Sequence, residues 1–156
     1  MEKPLVKPPR IKILEAIGSI GDGRVSVISE EEAVVKSSGG EREYRVIVKK
    51  ISENTFKVYS NDNGTVYRGY VGYPILAFLM VKGVLPIDNE VMNALKNIPW
   101  RELNEKYKKY SIVENIVLDR AERMGVKKHI VTDYMNIIMK KLDLLKFIYD
   151  DGLART

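Results

Sequence analysis

The stretch Phe56–Gly83, FKVYSNDNGTVYRGYVGYPILAFLMVKG, constrains the fold more than any other part of the chain. Its segment Ile75–Val81 is the most apolar in the protein, opened by Gly72 and Pro74 and closed by Gly83. A run without a polar face predicts a helix buried against a sheet rather than one lying on the surface. Ahead of it, Phe56–Ser60 reads as a strand, Asn63-Gly64 as a two-residue hairpin turn, and Thr65–Tyr70 as the returning strand.

Upstream, the pattern is β-rich. Met1–Pro9 is a polar, proline-containing lead, expected to be loosely attached. Arg10–Ile20 fits a short helix, bracketed by Pro8-Pro9 and by Gly18, Gly21 and Gly23. The glycine run 18–23 follows a helix and opens a strand, the reverse of a phosphate-binding loop, so it reads as a connector. Strands are predicted over 24–29, 33–37 and 43–51, with turns at Glu30–Glu32 and Gly39-Gly40. Including the hairpin, this makes an antiparallel meander of about five strands.

Downstream, the pattern is helical. Asp88 is placed as an N-cap, with Ile87 set to staple onto Met92 and a buried stripe at Val91, Met92, Leu95 and Ile98. Pro99 ends that helix and starts the next, whose stripe is Trp100, Leu103, Tyr107 and Tyr110. Ser111 and Glu114 have the spacing of a capping box for a third helix, with inner residues Val113, Ile116, Val117, Ala121 and Met124. Gly125 suits a left-handed helix end, with Val126 supplying its apolar contact. A final helix is expected from Lys128 to Tyr149, its seam running through Val131, Met135, Ile138, Leu142 and Leu145. The fold class is therefore α+β: residues 1–86 as a β-rich subdomain with a central helix, and 87–156 as a helical subdomain, closely packed together.

Composition restricts the chemistry. The chain has no cysteine, which excludes disulfides, zinc–thiolate sites and thiol nucleophiles. Its one histidine, His129, has no suitably spaced ligand partner, so neither a metal nor a cofactor is expected. No apolar run reaches the length needed to span a bilayer, and MEKPLVKPPR lacks the apolar core of a signal peptide, so a cytoplasmic location is expected. The absence of glutamine beside abundant Lys and Glu points to a thermophilic source. The net charge of +5 is compatible with a nucleic-acid partner.

Two local patterns resemble known families. Leu118–Leu142, LDRAERMGVKKHIVTDYMNIIMKKL, resembles the helix-turn-helix DNA-binding motif, with Ala121, Gly125 and Val131 at its small, glycine and β-branched positions. The resemblance implies double-stranded DNA as partner, with the second helix entering the major groove by its N-terminal end. Lys127, Lys128 and His129 would then stand at the groove entrance, Thr132 and Asn136 would face base edges, and Lys140 would reach a further phosphate. Gly72-Tyr73-Pro74-Ile75-Leu76-Ala77 resembles the start of the helix in SWIM-type zinc fingers, but Pro74 replaces the histidine and the cysteines are missing, so no zinc function is implied.

Three functional classes follow. The first is a DNA-binding protein of transcription-regulator type, with the β half as a dimerisation or ligand-sensing platform. The second is a non-enzymatic protein that forms homodimers or other assemblies through the last helix. The third is an enzyme, for which no nucleophile motif or carboxylate pair speaks; it would reveal itself by a deep pocket with convergent polar groups.

Overall fold

The computed structural model describes residues 2–155. The chain runs β1 (Glu2–Pro4), α1 (Ile11–Gly21), β2 (Val25–Val27), β3 (Glu32–Lys36), β4 (Glu43–Ser52), β5 (Thr55–Ser60), α2 (Asn63–Arg68), α3 (Tyr73–Val81), α4 (Asn89–Ala94), α5 (Trp100–Tyr107), α6 (Tyr110–Arg123), α7 (Lys128–Asp143) and β6 (Lys146–Asp150), and ends in a 3-10 turn at Asp151–Arg155. The fold is α+β, as the patterning predicts. Its single sheet has six strands in the order β1-β6-β5-β4-β3-β2. All neighbours are antiparallel except β5 and β6, which are parallel.

α3 is the centre of the molecule. Every residue from Pro74 to Met80 is buried. It packs against β4 and β5 on one side and α1 on the other. α1 is in turn backed by α4 and α7. Two successive buried helices thus separate the sheet from the outer helices. That explains why α1 presents Ile11, Ile13, Leu14, Ala16 and Ile17 around nearly its whole circumference.

Several sequence-based expectations are corrected. Asn63-Gly64 makes no hairpin turn, and Thr65–Tyr70 is no strand: Asp62 accepts a hydrogen bond from the Thr65 N–H and caps the short helix α2. A side-chain cap here outcompetes the turn preference of Asn-Gly. Met1 lies outside the described residues, but the rest of the polar lead is anchored. Glu2–Pro4 pair with β6, and Val6 bridges to Tyr70. Gly18 to Gly21, read as part of a connector, belong to α1 itself. Glu114 does not complete a capping box with Ser111; the N-cap of α6 is Lys109, two residues earlier, and Glu114 accepts from Arg10 instead. Tyr110 likewise belongs to α6, not to the stripe of α5.

The largest correction concerns the last helix. α7 stops at Asp143, and residues 146–150 return to the sheet as an inner strand between β1 and β5, parallel to β5. The Lys146 N–H donates to the Asn54 carbonyl at 2.8 Å, and the Phe147 ring stacks on Phe56 with centroids 5.7 Å apart. The apolar pattern over Lys128–Tyr149 is the sum of a helical pattern to Asp143 and a strand pattern from Lys146. The seam Val131, Met135, Ile138 and Leu142 is buried within the chain, with Leu145 packed against the core, so it is not the free surface that homodimerisation through the last helix requires. Among the described residues no helix is long and apolar enough to cross a membrane.

Because Phe147 is buried and joins the final strand to β5, Phe147→Ala should destabilise the protein by roughly 3–5 kcal/mol in denaturant unfolding. A cost below about 1 kcal/mol would show that β6 contributes little to the sheet.

Candidate functional site

A polar cleft of about 520 Å³ opens between the β3–β4 turn, α1, the α2–α3 junction and α5. Each wall is fixed by local structure. On α1, Glu15 is the only carboxylate in the apolar run Ile11–Ile20 and is buried. Lys12, one turn earlier, places its ammonium 3.1 Å from Glu15 Oε1, and Asn104 Nδ2 donates to the same oxygen at 3.0 Å. Two cationic or polar donors therefore hold this carboxylate in place, as a buried charge requires.

The second wall is Arg24, which follows Gly23 at the entrance to β2. Its Nη1 donates to the Lys36 carbonyl at 2.7 Å, tying the start of β2 to the end of β3. Asp22 stands 3.6 Å from Nε. The buried Nε and Nη2 atoms have no hydrogen-bond partner. Trp100, the first residue of α5, packs on α1 beside Gly18 and is only 3% exposed, yet its indole Nε1 is also unpartnered. Asn104, one turn further on, has an unpartnered Oδ1.

The third wall is built on Asp62. Its carboxylate accepts from Ser60 Oγ at 2.5 Å, Thr65 Oγ1 at 2.8 Å and the Thr65 N–H at 3.1 Å. Thr65 Oγ1 in turn accepts from the Gly72 N–H at 3.1 Å. One carboxylate thus joins the end of β5, the start of α2 and the start of α3. Gly72 is required at the contact, because a Cβ there would fall on the Asp62 carboxylate.

Tyrosines complete the lining. Burial pushes the Tyr44, Tyr70 and Tyr73 hydroxyls above the ordinary tyrosine range. A hydrogen bond with Tyr110 reinforces the shift at Tyr70, while Arg24 opposes it at Tyr73. All three stay protonated near neutral pH and act as neutral donors. At the rim, Arg101 is spent on Glu41 and Glu105, whereas Arg42 and Arg68 have no carboxylate partner among the described residues. Among the described residues no group of three His, Asp or Glu side chains is placed to hold a metal.

The predicted nucleic-acid residues lie elsewhere, on α7. Lys127 is its N-cap, and Lys127, Lys128, His129, Asn136 and Lys140 are exposed, with Thr132 half-buried. Thr132, Asn136 and Lys140 share one stripe at spacing four, and Asp133 is exposed beside them. Lys128 is paired with Asp119 at 2.7 Å; this contact raises the lysine and lowers the aspartate from their ordinary values. Thr132 Oγ1 donates to the His129 carbonyl. The turn before α7 is a Schellman end: Gly125 takes φ 96°, its N–H donates to the Glu122 carbonyl, and the Val126 N–H donates to the Ala121 carbonyl. Ala121, Val126 and Val131 are buried between the helices, whereas Met124, expected in that core, is 61% exposed.

No local pattern singles out Glu15, Arg24, Asp62 or Asn104; the one available signal is Glu15, the only carboxylate in an otherwise largely apolar helix. Two measurements check this geometry. Asp62→Ala removes a cap and leaves buried hydroxyls unpaired, and should cost roughly 2–4 kcal/mol in unfolding experiments. In a spectrophotometric titration, Tyr73→Phe should remove one tyrosine that ionises above the ordinary tyrosine range.

No curated protein and no solved structure matches the chain. A family model does match, over residues 5–148. On that match, the chain belongs to the family described as uncharacterised conserved protein UCP014422.

Proposed function

We propose that the protein binds a small molecule carrying an oxyanion in the cleft between α1, α5 and the sheet. The observation that carries this reading is the set of buried polar atoms without hydrogen-bond partners on residues that line it, Arg24 Nε and Nη2 above all. Nε and Nη2 form the side-on edge of a guanidinium, which matches two oxygens of a carboxylate or phosphate. A buried donor left unpaired costs about 1–3 kcal/mol, so several around one cleft favour a partner that supplies the missing bonds. The neutral tyrosine hydroxyls add donors without repelling an anion.

A second reading is sequence-directed DNA binding through α6 and α7. It is favoured by the packing of α4 against both helices, which makes a three-helix unit, and by the exposed polar stripe of α7. The two readings are compatible. Tyr110 lines the cleft and begins α6, whose other end leads into the Gly125 turn. A ligand in the cleft would therefore touch the helix that carries the DNA-binding turn.

Isothermal titration with inorganic phosphate tests the first reading. Saturable binding is expected, with Arg24→Met weakening it at least about tenfold, or ~1.4 kcal/mol, in a variant whose circular dichroism matches the parent. Absence of binding at millimolar phosphate and sulfate would overturn it. For the second reading, fluorescence anisotropy of a labelled duplex should give an affinity that falls steeply with salt. Lys127→Ala and Lys140→Ala should each reduce that slope by about one unit, and Lys128→Ala by less because Asp119 already pairs it. Salt-independent or absent binding would contradict it.

A further inference from the structure

We propose that the occupant of the cleft is a nucleoside monophosphate, with its phosphate on the Arg24 edge and its base against Trp100 and Asn104. This rests on the reading of the cleft as an oxyanion site and adds the class of molecule.

The first argument is charge. Arg24 lies inside the cleft, and Arg42 and Arg68 stand at its rim without carboxylate partners among the described residues. Lys12 is paired with Glu15, Arg101 with Glu41 and Glu105, and Arg24 faces Asp22 at 3.6 Å. The lining itself carries five cations, Lys12, Arg24, Arg42, Arg68 and Arg101, against three carboxylates, Glu15, Asp62 and Glu105, an excess that suits a dianionic phosphate better than a singly charged carboxylate.

The second argument is the mixture of unmet groups. Sulfate offers acceptors alone, and inorganic phosphate near neutral pH adds only its P–OH as a donor. Either can meet Arg24 and the Trp100 indole N–H, but neither carries an acceptor and an N–H donor side by side on one planar edge for Trp100 and Asn104 Oδ1. The orientation of that amide is fixed physically: Nδ2 must face the Glu15 carboxylate, so Oδ1 is turned away from it. Trp100 and Asn104 are four residues apart on α5, so an unmet donor and an unmet acceptor stand one helical turn apart. The hydrogen-bonding edge of a nucleobase presents the complementary pair, an acceptor beside an amino or imino donor. The third argument is shape and surface. About 520 Å³ falls in the usual range of small-molecule sites. Its lining is rich in rings, including an edge-to-face pair, Tyr44 and Tyr73, with centroids 6.1 Å apart. Flat aromatic surfaces suit a planar base.

The test is a parallel calorimetric titration of the full chain with the four ribonucleoside monophosphates, the matching nucleosides and inorganic phosphate. At least one nucleotide should bind about tenfold or more tightly than phosphate. Asn104→Ala should abolish that advantage while leaving phosphate affinity within about twofold, and the indole resonance of Trp100 should report that the variant is folded. A 5′-phosphorylated trinucleotide separates the two sources of this chemistry. Binding equal to the mononucleotide places a strand end in the cleft, weaker binding a free nucleotide, and both support the class. If phosphate binds as tightly as every nucleotide, the nucleotide class is overturned and the oxyanion site stands. If nothing binds, both fall.

Discussion

The all-round burial of α3 is the constraint on which the rest of the structure depends. A helix apolar on every side must be covered on every side. One sheet covers only half of it, and α1 is recruited for the other half. α1 then becomes a buried helix itself and needs α4 and α7 as a further layer. The layered order from sheet to outer helices follows from that single requirement. The orientation of α3 is fixed at its N-terminal end by Asp62, which bonds Ser60 and Thr65 while Thr65 holds the Gly72 N–H. The most buried helix and the wall of the cleft thus share one hydrogen-bonded junction.

The cleft is where this layering leaves polar groups inside. Glu15 is the only carboxylate on a largely apolar helix, and its charge is met by Lys12 and Asn104. Arg24 is held between β2 and β3 by the Lys36 carbonyl, with Asp22 3.6 Å from Nε and no hydrogen bond made by Nε or Nη2 among the described residues. Such arrangements weaken a fold unless something outside the protein completes them, which is why they favour binding over structure as their purpose. The α7 face is different in kind. Its polar groups are already solvated, and one of its lysines is already paired, so its case rests on helix geometry rather than on unmet bonding. Tyr110 and α6 connect the two regions and give a route by which occupancy of one would be felt at the other.

Local chemistry made much of this legible beforehand. The buried helix after Gly72, the Asp88 cap, the Gly125 helix end and four of the strands all follow from propensities acting over a few residues. What was not legible depends on distant partners. Asn63-Gly64 carries a strong hairpin preference, but Asp62 finds Ser60 and Thr65 and turns the segment into a helix start. Residues 146–150 continue a helical periodicity well enough to be read as such, and only the empty edge of β5 makes them a strand. The cleft was the least visible. Glu15, Arg24, Asp62 and Asn104 come from four separate elements, and no spacing in a linear sequence relates them.

The unpartnered groups of the cleft are proposed to meet a ligand. Trp100 is the only tryptophan, so a 15N-labelled sample gives one indole N–H resonance, from an atom in the cleft lining. Its position during titration with phosphate and then with nucleoside monophosphates is the most direct measurement. The account predicts a saturable shift of that resonance, accompanied by shifts in the backbone amides of Arg24 and Asn104. A resonance that stays in place through every titration, or shifts confined to other surfaces, would contradict it.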